Sequence, residues 1–180
     1  PYTVFLLHTA GMSADFITAG AIFLFFILTG LLNAGVALVK PVEAIGLEEW
    51  QRALTVNLTA PFLLVARLLG RMPAGASIVS LLSVAARQGF PGWTAYCTAK
   101  AGLRGFAAAL REEVRGRGIR VIDVIPAATD TALWDQVPGE WPRERMLPVA
   151  QVADAVRFAI ERPADVLVDE ISLGNLGGNL

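Results

Sequence analysis

Four short apolar runs, at residues 27–32, 77–82, 119–125 and 166–173, alternate with stretches of helical periodicity. Short, largely apolar runs suit strands buried on both faces, and such strands pair in parallel when helices cross over between them. The helical stretches run from 47 to about 69, from 96 to 115 and from 149 to 161. Glu48 and Glu49 stand in the first turn of the first, where the helix dipole favours acids. In the second, Leu103, Phe106, Leu110 and Val114 form a stripe for burial, Arg104, Arg111 and Glu112 lie off it, and Gly116 and Gly118 end it. Pro163 stops the third. The expectation is an α/β fold, a doubly wound parallel sheet covered on both faces, whose ligand lies beyond the carboxyl ends of the strands. Asn33, Ser83 and Pro126 each follow a predicted strand and so share that rim.

The chain has 180 residues, enough for one domain with a substantial core. A net charge of −1 leaves no basic footprint for nucleic acid. The one cysteine, Cys97, excludes an internal disulfide and fits a reducing compartment such as the cytoplasm. With His8 the single histidine, neither a zinc site nor a Cys-His nucleophile has the residues it needs, and no metal is expected. Residues 16–32 form an uncharged apolar run close to membrane-spanning length. Buried sheet is the favoured reading, because the run ends at Asn33 as a strand would. Membrane attachment is the competing one.

Tyr96 and Lys100 are an i,i+4 pair and share one face of the second helix. A lysine ammonium near a phenol favours the phenolate, so Lys100 is expected to lower the Tyr96 pKa and make it a general acid or base. Ser83, thirteen positions earlier, supplies a hydroxyl able to hold a carbonyl or alcohol oxygen. Ser80 is its rival, and the spacing from Tyr96 favours Ser83. Asn57 has its own clue: Pro61, four residues on, lacks the N–H that a helix would give to the Asn57 carbonyl. Either that carbonyl finds a water, or the helix simply kinks there.

These residues together resemble a known family. Asn33-Ala34-Gly35, Asn57, Ser83, Tyr96 with Lys100, and the segment from Pro126 to Thr131 are similar in order and spacing to the short-chain dehydrogenases/reductases of the classical type. The resemblance covers about residues 27–173 and implies a nicotinamide-dependent oxidoreductase acting on a small carbonyl or secondary alcohol. It implies that Tyr96 exchanges a proton with the substrate oxygen, while Lys100 tunes Tyr96 and holds the nicotinamide ribose. Ser83 orients the carbonyl, and Asn57 supports a water-linked relay toward Lys100. Asn33, Ala34 and Gly35 would line the adenosine side of the cofactor crevice. After Pro126, the backbone of Thr129 and the hydroxyl of Thr131 would hold the nicotinamide amide. Trp134 and Trp141, in the irregular stretch 129–146, are candidates to cover substrate, with plain packing as the alternative. The final strand is similar to the chain ends of hydroxy-acid or sepiapterin-type reductases. A homo-oligomer is also implied.

The sequence departs from that family in three places. Ala127 stands where a glycine usually follows the proline, which would cost energy if the site needs a positive φ. Residues 9–16 replace the glycine-rich phosphate loop, with Ala10, Ala14 and Phe16 at positions where the family carries glycine. About fifty residues are missing before Asn33, roughly two βα units of about 30 residues each. The residue that selects NAD or NADP belongs to that gap, so either cofactor is expected. Residues 1–32 are therefore read as an atypical apolar segment and 33–180 as the catalytic part of the domain. The alternative is a truncated, non-catalytic relative serving as a structural or oligomerising subunit.

Overall fold

The computed structural model describes residues 29–32 and 35–178. The atypical segment before Thr29, and with it the departure from the phosphate loop, lies outside the described residues, as do Asn33 and Ala34.

Among the described residues, four parallel strands form one sheet in sequence order: β1 (Thr29–Leu32), β2 (Ser77–Leu81), β3 (Arg120–Pro126) and β4 (Glu170–Leu173). Leu31 pairs with Val79, Val79 with Ile122, and Val124 with Ile171. Between them run α1 (Leu47–Arg71), α2 (Thr94–Arg115) and α3 (Val149–Ile160). Parallel strands need such crossovers, and the crossovers cover both faces of the sheet.

Strand alternation sorts the core into two layers. Ile78, Leu82, Val121 and Ile125 point to the α1/α2 side and meet Val65, Leu103, Ala107, Leu110 and Val114. Leu31, Val79, Leu81, Ile122 and Val124 point to the other side, against Val152 and Ala159 of α3. Each fully buried Leu, Ile or Val stabilises such a core by about 2 kcal/mol. Ala99 and Ala107 are fully buried in α2, and their small size lets its backbone lie close to the sheet. Phe106, expected in the stripe, is only half-buried and meets Phe62 edge-on at 6.0 Å.

The first helix is continuous over 25 residues, yet it changes pitch within its span. An α-helical start, Leu47–Leu54, passes into a π-turn at Thr55–Thr59 and back to α-helix at Ala60–Leu68. The N–H of Ala60 donates to the Thr55 carbonyl, an i to i+5 bond. Pro61 can supply neither the next such bond, to Val56, nor an α-helical bond to Asn57. The missing N–H is thus absorbed in a wide turn. Ala53, Asn57, Pro61 and Val65, spaced by four, are the buried line of α1, while Phe62, Leu63 and Leu64 face outward. Among the described residues this helix alone is long and apolar enough to cross a membrane. Of the apolar run 16–32, the four described residues lie in β1, within the sheet.

The last strand is shorter than the apolar run suggests. Pro163 accepts the N–H of Val166 in a turn, and Val166 and Leu167 remain exposed, so pairing begins only near Glu170. Ion pairs then hold this edge strand to α2 and to the loop after β2. Arg87 and Arg104 both reach Glu170, and Arg111 reaches Asp123 at 3.1 Å. Only the Arg111–Asp123 pair is mostly buried, and burial pushes the Asp123 carboxyl up while Arg111 opposes it.

Candidate active site

Strand β2 ends at Leu81, and the chain turns at Ser83 into a short 3-10 helix, Val84–Ala86. Ser83 caps that helix by accepting the N–H of Ala85 at 3.2 Å. Its hydroxyl lies near enough to the phenol of Tyr96 to influence it. Ser83 is partly exposed and can meet a ligand, whereas Ser80 is fully buried in the sheet with no partner for its hydroxyl. Of the two serines, Ser83 is the one with surface open to a ligand.

Tyr96 and Lys100 project from one face of α2, and the Lys100 ammonium lies 5.7 Å from the centre of the Tyr96 ring. Lys100 is buried and donates to the Leu81 carbonyl at 2.8 Å, which fixes it under the carboxyl end of β2. Burial lowers its pKa to about 8. Burial also raises the Tyr96 phenol to about 12, with the Ser83 hydroxyl acting against the rise. The expected lowering of Tyr96 by Lys100 does not prevail in this geometry. A lysine that is itself partly neutral at mildly alkaline pH is a weak source of field.

Asn57 sits in the π-turn, fully buried. Its amide nitrogen donates to the carbonyls of Val36, at 2.9 Å, and Ala53, at 2.8 Å, and its oxygen accepts the Val36 N–H at 3.2 Å. Both amide protons are thus engaged, and Pro61 cannot donate to the Asn57 main-chain carbonyl. Gly35 passes so close that a Cβ would lie 3.1 Å from the Asn57 oxygen. The π-turn packs on α2, where Gly102 makes room for Leu58. Residues 35–40 then reach the turn before α2, where the Lys40 N–H donates to the Gly92 carbonyl at 2.9 Å. One chain of contacts therefore links the segment after β1, the π-turn and the start of α2.

At the end of β3, Pro126 leads into Ala127, whose N–H donates to the Leu173 carbonyl at 2.7 Å. No described residue other than glycine has a positive φ, so Ala127 is unstrained in place of the expected glycine. The Thr129 hydroxyl donates to the Ala127 carbonyl at 3.0 Å, and the Thr129 carbonyl accepts the indole N–H of Trp134 at 2.9 Å. Thr131 caps a 3-10 helix, Ala132–Gln136, by accepting the Leu133 N–H at 3.4 Å, which leaves its own proton to donate. Arg143 bonds Asp130 at 2.8 Å, and also Asp135 and the Thr131 carbonyl, closing the irregular stretch on itself.

Trp93 was not among the residues expected from sequence. It precedes α2 and sets its ring against Tyr96 at 5.4 Å and against Trp134 at 5.9 Å. The signal was present, since Trp93 and Tyr96 are three apart at a helix start and share a face. Of the expected residues, Ser83, Tyr96 and Lys100 come together, Trp93 and Trp134 join them to the segment after Pro126, and Asn57 reaches α2 through Leu58. Gly35 lies against Asn57.

The segment 27–140 matches the family described as short chain dehydrogenase. The chain is 33% identical over 127 residues to the D-threitol dehydrogenase of Mycolicibacterium smegmatis, covering 67% of this chain and 48% of that protein. It is 31% identical over 150 residues to the sepiapterin reductase of Chlorobaculum tepidum, covering 82% and 61% respectively. The chain thus spans about half the length of the first of these relatives. Its fold superposes on the angucycline C-6 ketoreductase LanV with bound NADP with a TM-score of 0.71 and 28% identity, over 84% of this chain and 63% of that one. The parallel sheet wound on both faces is Rossmann-like in these terms. With the family match spanning more than half of its residues, the chain belongs to the short-chain dehydrogenase family.

Proposed function

We propose that residues 33–180 form the catalytic part of an NAD(P)-dependent oxidoreductase that interconverts a carbonyl and a secondary alcohol. The observation that carries this is the convergence of the partly exposed Ser83 hydroxyl, the Tyr96 ring and buried Lys100 at the carboxyl end of β2. A carbonyl oxygen between Ser83 and Tyr96 would take a hydrogen bond from one hydroxyl and a proton from the other. With its pKa near 12, Tyr96 is protonated at neutral pH, which suits donation and hence reduction. When bound, the nicotinamide cofactor supplies the hydride that goes to the carbonyl carbon.

The residues present fit the nicotinamide half of such a cofactor. Lys100 uses one donor on Leu81 and has two more for ribose hydroxyls. Thr131 has a proton to give, and the Thr129 carbonyl retains a second lone pair beside the Trp134 bond. A water on the Asn57 carbonyl would extend a path toward Lys100 for replacing the proton that Tyr96 gives up. Asn33, Ala34 and Gly35 are proposed for the adenosine side. NADP is bound in LanV and is the first cofactor to try, with NAD beside it. The partly exposed free thiol of Cys97 suits a reducing compartment, and the cytoplasm is the proposed location.

The test is a ketone-dependent oxidation of NADPH or NADH by this chain. Tyr96→Phe should lower its rate by about 10²–10⁴-fold while leaving cofactor binding measurable by fluorescence titration. A Tyr96→Phe rate equal to the parent's would exclude Tyr96 as the proton donor.

A second reading has its own support. Phe62, Leu63 and Leu64 expose an apolar face on α1, and the chain spans only part of its relatives' length. A homo-oligomer built on that face, without catalysis, is the outcome if sedimentation shows assembly and no ketone is turned over. An active homo-oligomer satisfies both readings.

A further inference from the structure

Three of the four tryptophans in the chain converge on one cluster, which Trp93 joins to Tyr96. Trp93 stands edge-on to Tyr96, with ring centres 5.4 Å apart and planes at 71°. Trp134 and Trp141 come from the stretch after β3 and lie 4.8 Å from each other. They lie 5.9 and 6.4 Å from Trp93, so the three rings close a triangle. All three are partly buried, and each keeps some surface open to a ligand.

Two of the three indole N–H groups of this cluster are turned onto the chain itself. The Trp134 indole N–H donates to Thr129 at 2.9 Å, and that of Trp141 donates to Pro138 at 3.3 Å. Of the two arginines in the same stretch, Arg143 is held by Asp130, Asp135 and the Thr131 carbonyl, and Arg145 turns to the Gly177 carbonyl. These two indoles therefore offer ring faces and edges with no free side-chain donor. Aromatic rings gain from one another in tilted and edge-to-face contact beyond the area they bury, and a saturated ring of the same size does not. A hydroxyl-rich ligand would lose water here and find no partner on these rings.

We infer that the substrate of this site is a planar aromatic ketone or the matching alcohol. Its ring lies against Trp93, Trp134 and Trp141 while its oxygen reaches Ser83 and Tyr96. This rests on the oxidoreductase reading for the position of the oxygen, but the aromatic site is testable without turnover. The arrangement is also prebuilt, because Arg143 and the two indole bonds order the stretch internally.

The experiment is a calorimetric titration of the chain with acetophenone and with cyclohexyl methyl ketone, a saturated ring of the same carbon count, each with NADP⁺ present. Acetophenone should bind about tenfold more tightly. Trp141→Leu, which keeps apolar bulk and touches no proposed cofactor group, should reduce the ratio to about threefold or less. Trp93→Leu should do the same, and far-ultraviolet circular dichroism identifies any variant that has not folded. Equal affinities for the two ketones, no binding of either, or a ratio unchanged in both folded variants overturns the inference. The oxidoreductase reading fails separately, if neither ketone nor any other carbonyl compound is reduced with NADPH or NADH.

Discussion

The carboxamide of Asn57 bonds both main-chain groups of Val36, accepting its N–H at 3.2 Å and donating to its carbonyl at 2.9 Å. An amide that reads a backbone in both directions acts as one residue of sheet pairing inserted between a helix and a loop. It ties the segment following β1 to the π-turn, and a third bond, to Ala53, fixes the side chain to its own helix.

Replacing Asn57 by Ala removes all three bonds and strands buried polar groups of Val36 and Ala53. A destabilisation of about 2–4 kcal/mol is expected, read as a fall in urea midpoint with an unchanged slope. Asn57→Asp should cost at least as much, since a carboxylate cannot donate to either carbonyl and would be buried.

Lys100 and Tyr96 set opposite pH dependences on stability. The Lys100 pKa falls from 10.5 to about 8, so between these values the unfolded chain holds the extra proton and stability rises with pH. The Tyr96 pKa rises from 10.0 to about 12, so between these values the folded chain holds the extra proton and stability falls with pH. Urea midpoints should therefore climb from pH 8 to about 10 and decline above it. Lys100→Met should flatten the climb and raise stability at pH 7 by about 1–3 kcal/mol, because the buried charge is gone. A parent midpoint that stays level across pH 8–10 would contradict the burial of Lys100.

Gly102 and Leu58 should behave as a coupled pair. A Cβ on Gly102 would come within 2.9 Å of Leu58 Cδ2, so Gly102→Ala forces Leu58 to move although alanine is the better helix former. A net loss of about 1 kcal/mol is expected. In the Leu58→Ala background the same change should be neutral or stabilising, and a double-mutant cycle of urea midpoints measures the difference. Additive effects would mean that the two helices do not meet at this point.

Arg143 is expected to matter locally more than globally. Its ion pairs with Asp130 and Asp135 are substantially exposed, and such pairs are worth about 0–1 kcal/mol each. Arg143→Ala should shift the global midpoint little. Hydrogen exchange at residues 131–146 should nonetheless speed up, because the bond to the Thr131 carbonyl goes as well.

Apolar runs alone were sufficient to order the strands and helices, because a strand buried on both faces and a helix with one buried face leave different periods in sequence. Tyr96, Lys100 and Ser83 were legible by spacing, since two lie on one helix and the third ends the strand that the helix packs on. Burial agrees with the spacing that favoured Ser83 over Ser80, since Ser80 is enclosed in the sheet and Ser83 is left at the rim. Tertiary structure alone turned the missing N–H of Pro61 into a π-turn, because the Val36 backbone is available to hold Asn57 there. It also reversed the expected direction at Tyr96, since desolvation depends on everything packed around a group and spacing reports only its neighbours along the helix. Trp93, Trp134 and Trp141 are up to 48 positions apart in the chain and meet only when β3 returns beside the start of α2. Sequence therefore determined the sheet and the candidate site residues, and tertiary contact decided their burial and the aromatic cluster set beside them, because both depend on residues far apart in the chain.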